Sequence, residues 1–179
     1  MTSKDEVLEA MRRDIGQESE PGAWFTVDQE LIDRYVAISG EDVWIHTDPE
    51  RAAKSKFGAT IAPGNMGIAL MPRLSNDVSA YGRYPRKYSL NQGRDRIRYL
   101  EPLRTGSRVR ARSKLLEVEE RPDGSLRVQV EFRLEIEGQE KPWVTGVKVG
   151  RFFAKTDHAT PIDLCMSSIV VTRARSPLT

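Results

Sequence analysis

Apolar and polar positions change their spacing about halfway along the chain. In the first part apolar residues recur at helical intervals. Val7, Leu8, Met11 and Ile15 share one side of a helix that Ser3 can cap and Gly16 can stop. Residues 17–23 are polar, hold Pro21 and Gly22, and read as a linker. Trp24–Val27 is a short strand. Asp28 then caps a second helix, with Leu31, Tyr35 and Ile38 on one face and Gly40 at its end. Asp48-Pro49 pairs a cap with proline at the first helical position, so a short helix follows over Glu50–Lys54. Gly64 opens the most apolar helix, running to about Asn76 through Met66, Ile68, Ala69, Leu70, Met71 and Leu74. Its nearly all-round apolarity predicts burial, and Pro72 predicts a bend.

After Tyr84 the period becomes two. Tyr88–Gln92, Arg94–Tyr99, Ser107–Glu120, Ser125–Glu137 and Val144–Phe153 are strand candidates. Leu126, Val128, Val130, Phe132, Leu134 and Ile136 alternate cleanly with polar residues. Arg121-Pro122-Asp123-Gly124 is a hairpin turn, and Glu137-Gly138-Gln139-Glu140 is another. The order predicts an α+β fold, with a long antiparallel meander curling around the buried apolar helix. A cystatin-like roll shares this element order.

A length of 179 residues suits one domain with a real core. The single cysteine, Cys165, excludes an internal disulfide and a cysteine-based zinc site, and fits a reducing cytoplasm. The opening MTSKDEVLEAMRRDIG lacks the apolar run of a signal peptide, and no stretch is long enough to span a membrane. A formal charge of +2 gives no drive toward nucleic acid. Charge is uneven, however. Between Arg83 and Arg112 ten basic residues face two acids. Two readings stay open: a solvated sheet face, or an anion-facing mouth for a coenzyme A phosphate or an acidic carrier protein. The aromatics do not interleave as a base-stacking surface would need.

Of two histidines, His158 lies in a polar tail. His46 lies in Ser39-Gly40-Glu41-Asp42-Val43-Trp44-Ile45-His46-Thr47-Asp48-Pro49, a loop between helices. Glu41 and Asp42 precede it closely, so imidazole and carboxylate can hold one water between them. A structural histidine is the plain alternative.

This segment resembles the MaoC-like (R)-specific enoyl-CoA hydratases, in the branch of nodulation protein N. Tyr35, Ile38, Ser39, Gly40, Ile45, His46 and Ala52 match that family's spacing. Downstream, Phe57-Gly58-Ala59-Thr60-Ile61-Ala62-Pro63-Gly64, Asn91-Gln92-Gly93, Arg94–Arg98, Pro102-Leu103, Thr105-Gly106-Ser107, Arg108–Arg110 and Glu135–Pro142 are similar too. The likeness covers roughly Trp24–Phe153. It implies a hot-dog fold over residues 23–153, after an N-terminal helix and linker (1–22) and before a C-terminal extension (154–179). It implies a homodimer that reversibly adds water to a trans-2-enoyl thioester, giving an (R)-3-hydroxyacyl thioester. The substrate would ride on coenzyme A or acyl carrier protein, with no metal or redox cofactor. The resemblance implies that His46 is catalytic and that the Gly64 N–H holds the thioester carbonyl, with Ala62, Pro63, Asn65 and Trp44 beside the substrate.

Three positions depart from the family pattern. Its catalytic aspartate is Glu41 here, so either Glu41 works in its place or Asp42 serves as acid. Its Asn-Pro is Val43-Trp44, and its histidine before the glycine is Pro63. The competing readings are a non-catalytic acyl-thioester-binding subunit and a tailoring dehydratase or isomerase on the same scaffold. Asn65 has a capping hydrogen bond as its plain role, and Trp44 has packing. Trp24 and Trp143 read as core or interface, and Cys165 as inert. Ser167–Val171 is a possible extra strand before the basic Arg173–Arg175 end.

Overall fold

The computed structural model describes residues 3–75 and 82–155. His158, Cys165, Ser167–Val171, Arg173–Arg175 and Asn76 lie outside the described residues. Helix α1 (Lys4–Arg13) begins in a capping box: the Ser3 hydroxyl accepts from the Glu6 N–H at 3.1 Å, and the Glu6 carboxylate accepts from the Ser3 N–H at 2.7 Å. After strand β1 (Phe25–Val27), the Asp28 carboxylate accepts from the Leu31 N–H and starts α2 (Gln29–Ser39). Gly40, at φ 71°, ends α2 in the left-handed conformation that glycine adopts without penalty. Two short helices follow, α3 (Trp44–Thr47) and α4 (Pro49–Ala53), and then α5 (Gly64–Ser75), which continues through Pro72. His46 therefore stands on a helical turn rather than in open loop.

The strands are β2 (Arg86–Tyr99), β3 (Ser107–Glu120), β4 (Leu126–Ile136) and β5 (Val144–Ala154). They form one antiparallel five-stranded sheet in the order β1-β3-β4-β5-β2. This corrects the expected meander: β2 pairs with β5, at the far edge from β1. The link after β2 explains the placement. The Leu103 carbonyl accepts from the Ala62 N–H at 2.7 Å, and the Thr105 N–H donates to the Thr60 carbonyl at 2.9 Å. A link tied to that segment cannot fold back as a hairpin. The two strands expected at Tyr88–Gln92 and Arg94–Tyr99 are one strand with bulges, where the register shifts at Asn91/Gly93 and at Asp95/Arg98.

The concave face of the sheet carries the core in two parts. Under one end, Met66, Met71 and Leu74 of α5 pack against Phe132, Leu134, Trp143 and Val144. Under the other, Val7, Leu8 and Met11 of α1 pack against Leu115, Leu126, Val130 and Phe152. α5 comes down on the sheet at Gly67, where a Cβ would lie 2.8 Å from Val144 Cγ2. Asn65, Ala69, Pro72 and Arg73 on its other side are exposed. Residues 16–22 run along the outer edge of β3, with N–H donors on Gly16, Ser19 and Gly22 reaching the Leu115, Ser113 and Ala111 carbonyls. They cover an edge that would otherwise stay unpaired.

Candidate active site

The turn after α2 carries the two acids. Glu41 is half-buried and Asp42 is exposed. Asp42 has a local task, accepting a hydrogen bond from the Thr47 hydroxyl at 3.1 Å. Burial first, and then the Glu41 carboxylate, push both Tyr35 and Tyr99 above the ordinary tyrosine value.

His46 is 6% exposed. Its Nδ1 lies 2.7 Å from the Ile61 carbonyl oxygen. A carbonyl can only accept, so Nδ1 carries the proton, and in the neutral ring Nε2 keeps its lone pair for proton exchange. The backbone around it is clamped from two sides. The Ile61 N–H donates to the Ile45 carbonyl at 3.0 Å, and Gln29 Nε2 donates to the His46 carbonyl at 2.8 Å. Gln29 is held in turn by the hydroxyl of Thr60, a residue 1% exposed. Nothing in the local pattern marks Gln29 for this role, since it sits beside a helix cap and acts 17 residues away.

Ile61 also ties His46 to the start of α5. Three residues on, Gly64 opens that helix, and N–H groups of a first turn have no acceptor inside their own helix. A helix N-terminus favours negative charge placed against it. Ala62 and Pro63 are buried and fix the approach, Ala62 through its bond to Leu103 and Pro63 by accepting from the Met66 N–H at 3.0 Å. Asn65 accepts a hydrogen bond from the Tyr99 hydroxyl. Trp44 lies under the Arg51 guanidinium, 4.3 Å from the ring centroid, and stacks on α4. His46, through Ile61, and Tyr99, through Asn65, thus reach one helix start from two directions.

The basic segment divides. On the convex face Arg108 pairs with Glu137, and Arg110 and Arg112 pair with Glu135, while Arg83 pairs with Asp14 at the end of α1. Burial alone would raise Glu135, but hydrogen bonds from Arg110 and Arg133 outweigh it and hold that carboxyl below its ordinary value. Trp24 packs on this face under Arg110, and Trp143 is core. A groove of about 410 Å³ lined by Arg96, Arg112, Lys114, Glu131, Arg133 and Thr145 opens on this side of the sheet, away from α5. Among the described residues no three His, Cys, Asp or Glu side chains are grouped as a metal ion would need, and no helix is long and apolar enough to cross a membrane.

Comparison with known proteins agrees with this fold. Residues 11–135 match the family model described as MaoC like domain. The 3-hydroxyacyl-thioester dehydratase Z of Mycobacterium tuberculosis is 39% identical over 131 residues, covering 73% of this chain and 85% of that protein. Nodulation protein N of Rhizobium leguminosarum bv. viciae is 39% identical over 132 residues, covering 73% of this chain and 81% of that protein. Among solved structures, the R-hydratase PhaJ1 of Pseudomonas aeruginosa superposes with a TM-score of 0.63 at 20% identity, covering 82% of this chain and 88% of that one. The curled sheet with helices is the hot-dog fold of these neighbours. Sequence match and architecture lead to one assignment: the chain belongs to the MaoC-like domain family.

Proposed function

We propose that the chain interconverts a trans-2-enoyl thioester and an (R)-3-hydroxyacyl thioester by syn addition or elimination of water. The observation that carries this is His46, buried and fixed in one tautomer by Ile61, three residues ahead of the α5 N-terminus. The relatedness to a 3-hydroxyacyl-thioester dehydratase supports the same reaction. In hydration, Glu41 and His46 hold a water and take its proton as its oxygen bonds to C3. The C2–C3 double bond becomes single, charge passes to the thioester oxygen, and a proton returns to C2 on the same face. The Gly64 N–H bears on that enolate-like oxygen, where a fixed donor contributes most. Glu41 is favoured over Asp42 because it is half-buried, whereas Asp42 is exposed and held by Thr47.

The acyl group rides on coenzyme A or acyl carrier protein, and water addition at C3 calls for neither metal nor redox cofactor. A chain with one cysteine suits a reducing cytoplasm. The working unit is a homodimer, a reading supported by exposed Tyr88 and Leu90 on the edge strand β2 and by Ile38, 88% exposed beside the site. The test is product analysis of the purified protein with crotonyl-CoA, longer enoyl-CoAs and carrier-bound enoyls. A 3-hydroxyacyl product is expected, and none across the panel would overturn the proposal.

A further inference from the structure

Gln29 is the first residue of α2, and its side chain reaches across to the His46 turn. Its amide makes three hydrogen bonds, and together they allow one orientation. Nε2 donates to the His46 carbonyl at 2.8 Å and to the Asp33 carboxylate at 2.8 Å, two groups that can only accept. Oε1 accepts from the Thr60 hydroxyl. Both N–H bonds and the oxygen of the amide are thereby used. Thr60 is buried and precedes Ile61, whose carbonyl accepts from His46 Nδ1 at 2.7 Å. The contacts close a ring that runs from the His46 side chain through Ile61, Thr60 and Gln29 back to the His46 main chain. The Thr60–Ala62 side of that ring is fastened to the link after β2. The Thr105 N–H donates to the Thr60 carbonyl, Ile61 bridges to Arg104, and the Ala62 N–H donates to the Leu103 carbonyl.

The Ile61 bond alone selects the tautomer of His46 but leaves the imidazole free to shift with its own backbone. A misplacement of about 1 Å in a reacting group can cost roughly 100-fold in rate. We propose that Gln29 is a positioning residue for His46, acting together with Thr60. The ring ties the His46 main chain to the same segment that holds its side chain, so Nε2 keeps one direction relative to the α5 N-terminus, which begins three residues past Ile61. Burial keeps the ring closed, because opening it would leave the Thr60 hydroxyl without an acceptor in a site that excludes water. The inference rests on the hydratase reading for its kinetic consequence, and on the hydrogen bonds alone for the placement.

The test uses the full chain and two readouts. Gln29→Ala opens the ring and should lower kcat by about tenfold with KM within about twofold, the split expected when a proton-transfer group is misplaced rather than substrate lost. Thr60→Val keeps the shape of the side chain and removes the hydroxyl, and should give a similar fall. Thr60→Ser, which restores the hydroxyl, should recover most of it. The double variant of Gln29→Ala with Thr60→Val should be no slower than the slower single one, because both open the same ring. The second readout is the nitrogen-15 spectrum of histidine-labelled protein with the rings neutral, in which the His46 signals are those that His46→Ala removes. The unmodified protein should show a protonated Nδ1 in slow exchange with solvent. Gln29→Ala should speed that exchange or mix the two tautomers. An unchanged kcat in Gln29→Ala, losses that multiply in the double variant, or His46 signals indifferent to Gln29→Ala would overturn the proposal. Failure of the hydratase reading looks different: no product from the unmodified protein, whatever the spectrum gives. In that case the spectrum still decides whether Gln29 positions His46.

Discussion

His46 has its tautomer chosen by the Ile61 carbonyl, and this leaves Nε2 as the nitrogen free for the proposed proton exchange. His46→Ala should therefore lower kcat at least about 100-fold with the circular dichroism spectrum unchanged. Glu41→Gln should match it, while Asp42→Asn should stay within about threefold, because Asp42 answers to Thr47. Equal losses from Glu41→Gln and Asp42→Asn would shift the acid to Asp42. Gly64→Ala places a Cβ 2.8 Å from the Tyr99 ring, so it should cut turnover strongly even where the protein remains folded. His46 was legible in the sequence because a histidine five residues after a carboxylate, between helix signals, is a local pattern. Gln29 and Tyr99 were not, because their contacts span 17 and 34 residues and depend on how the chain closes. Glu41 was legible as a departure from the family pattern, but Tyr99, one of the two tyrosines its charge reaches, lies on a strand distant in sequence.

Among the elements, helix caps and the alternation of β4 were readable because both are set within a few residues. Partner strands were not. A period of two fixes which face a residue occupies, and says nothing of which neighbour a strand takes. β2 was read as two strands because Gly93 interrupts the alternation, whereas the chain absorbs the break as a bulge and stays paired to β5. α5 owes its position to glycine at Gly67, where Val144 lies within reach of any added Cβ and Leu134 and Trp143 stand close by. Gly67→Ala gains helix propensity but must push Val144 aside. It should destabilise the fold by about 1–3 kcal/mol, read as a lower denaturant midpoint. No loss of stability would mean that α5 does not rest on β5 as described.

Across the whole molecule the two faces of the sheet do different work. The concave face holds the helices and the proposed site. The convex face pairs much of the basic segment with Glu135, Glu137 and Glu18, so for Arg108, Arg110 and Arg112 the solvated-face reading holds over the anion mouth. The charges set the pH response. Glu135 is held below its ordinary value of 4.5, so its contribution is present above that value and is lost as pH falls through the folded value. Tyr35, Tyr84 and Tyr99 are held above 10, chiefly by burial, so their contribution is lost as pH rises from 10 through their folded values. Denaturant midpoints measured against pH should fall at both ends, and Glu135→Gln should soften the acid fall. The central claim is that this fold carries out syn hydration at the Glu41–His46 site, and stereochemistry tests it most directly. Crotonyl-CoA turned over in D2O should yield (R)-3-hydroxybutyryl-CoA with one deuterium at C2, on the face that receives the hydroxyl. An (S) product, anti addition, or no 3-hydroxy product would contradict it.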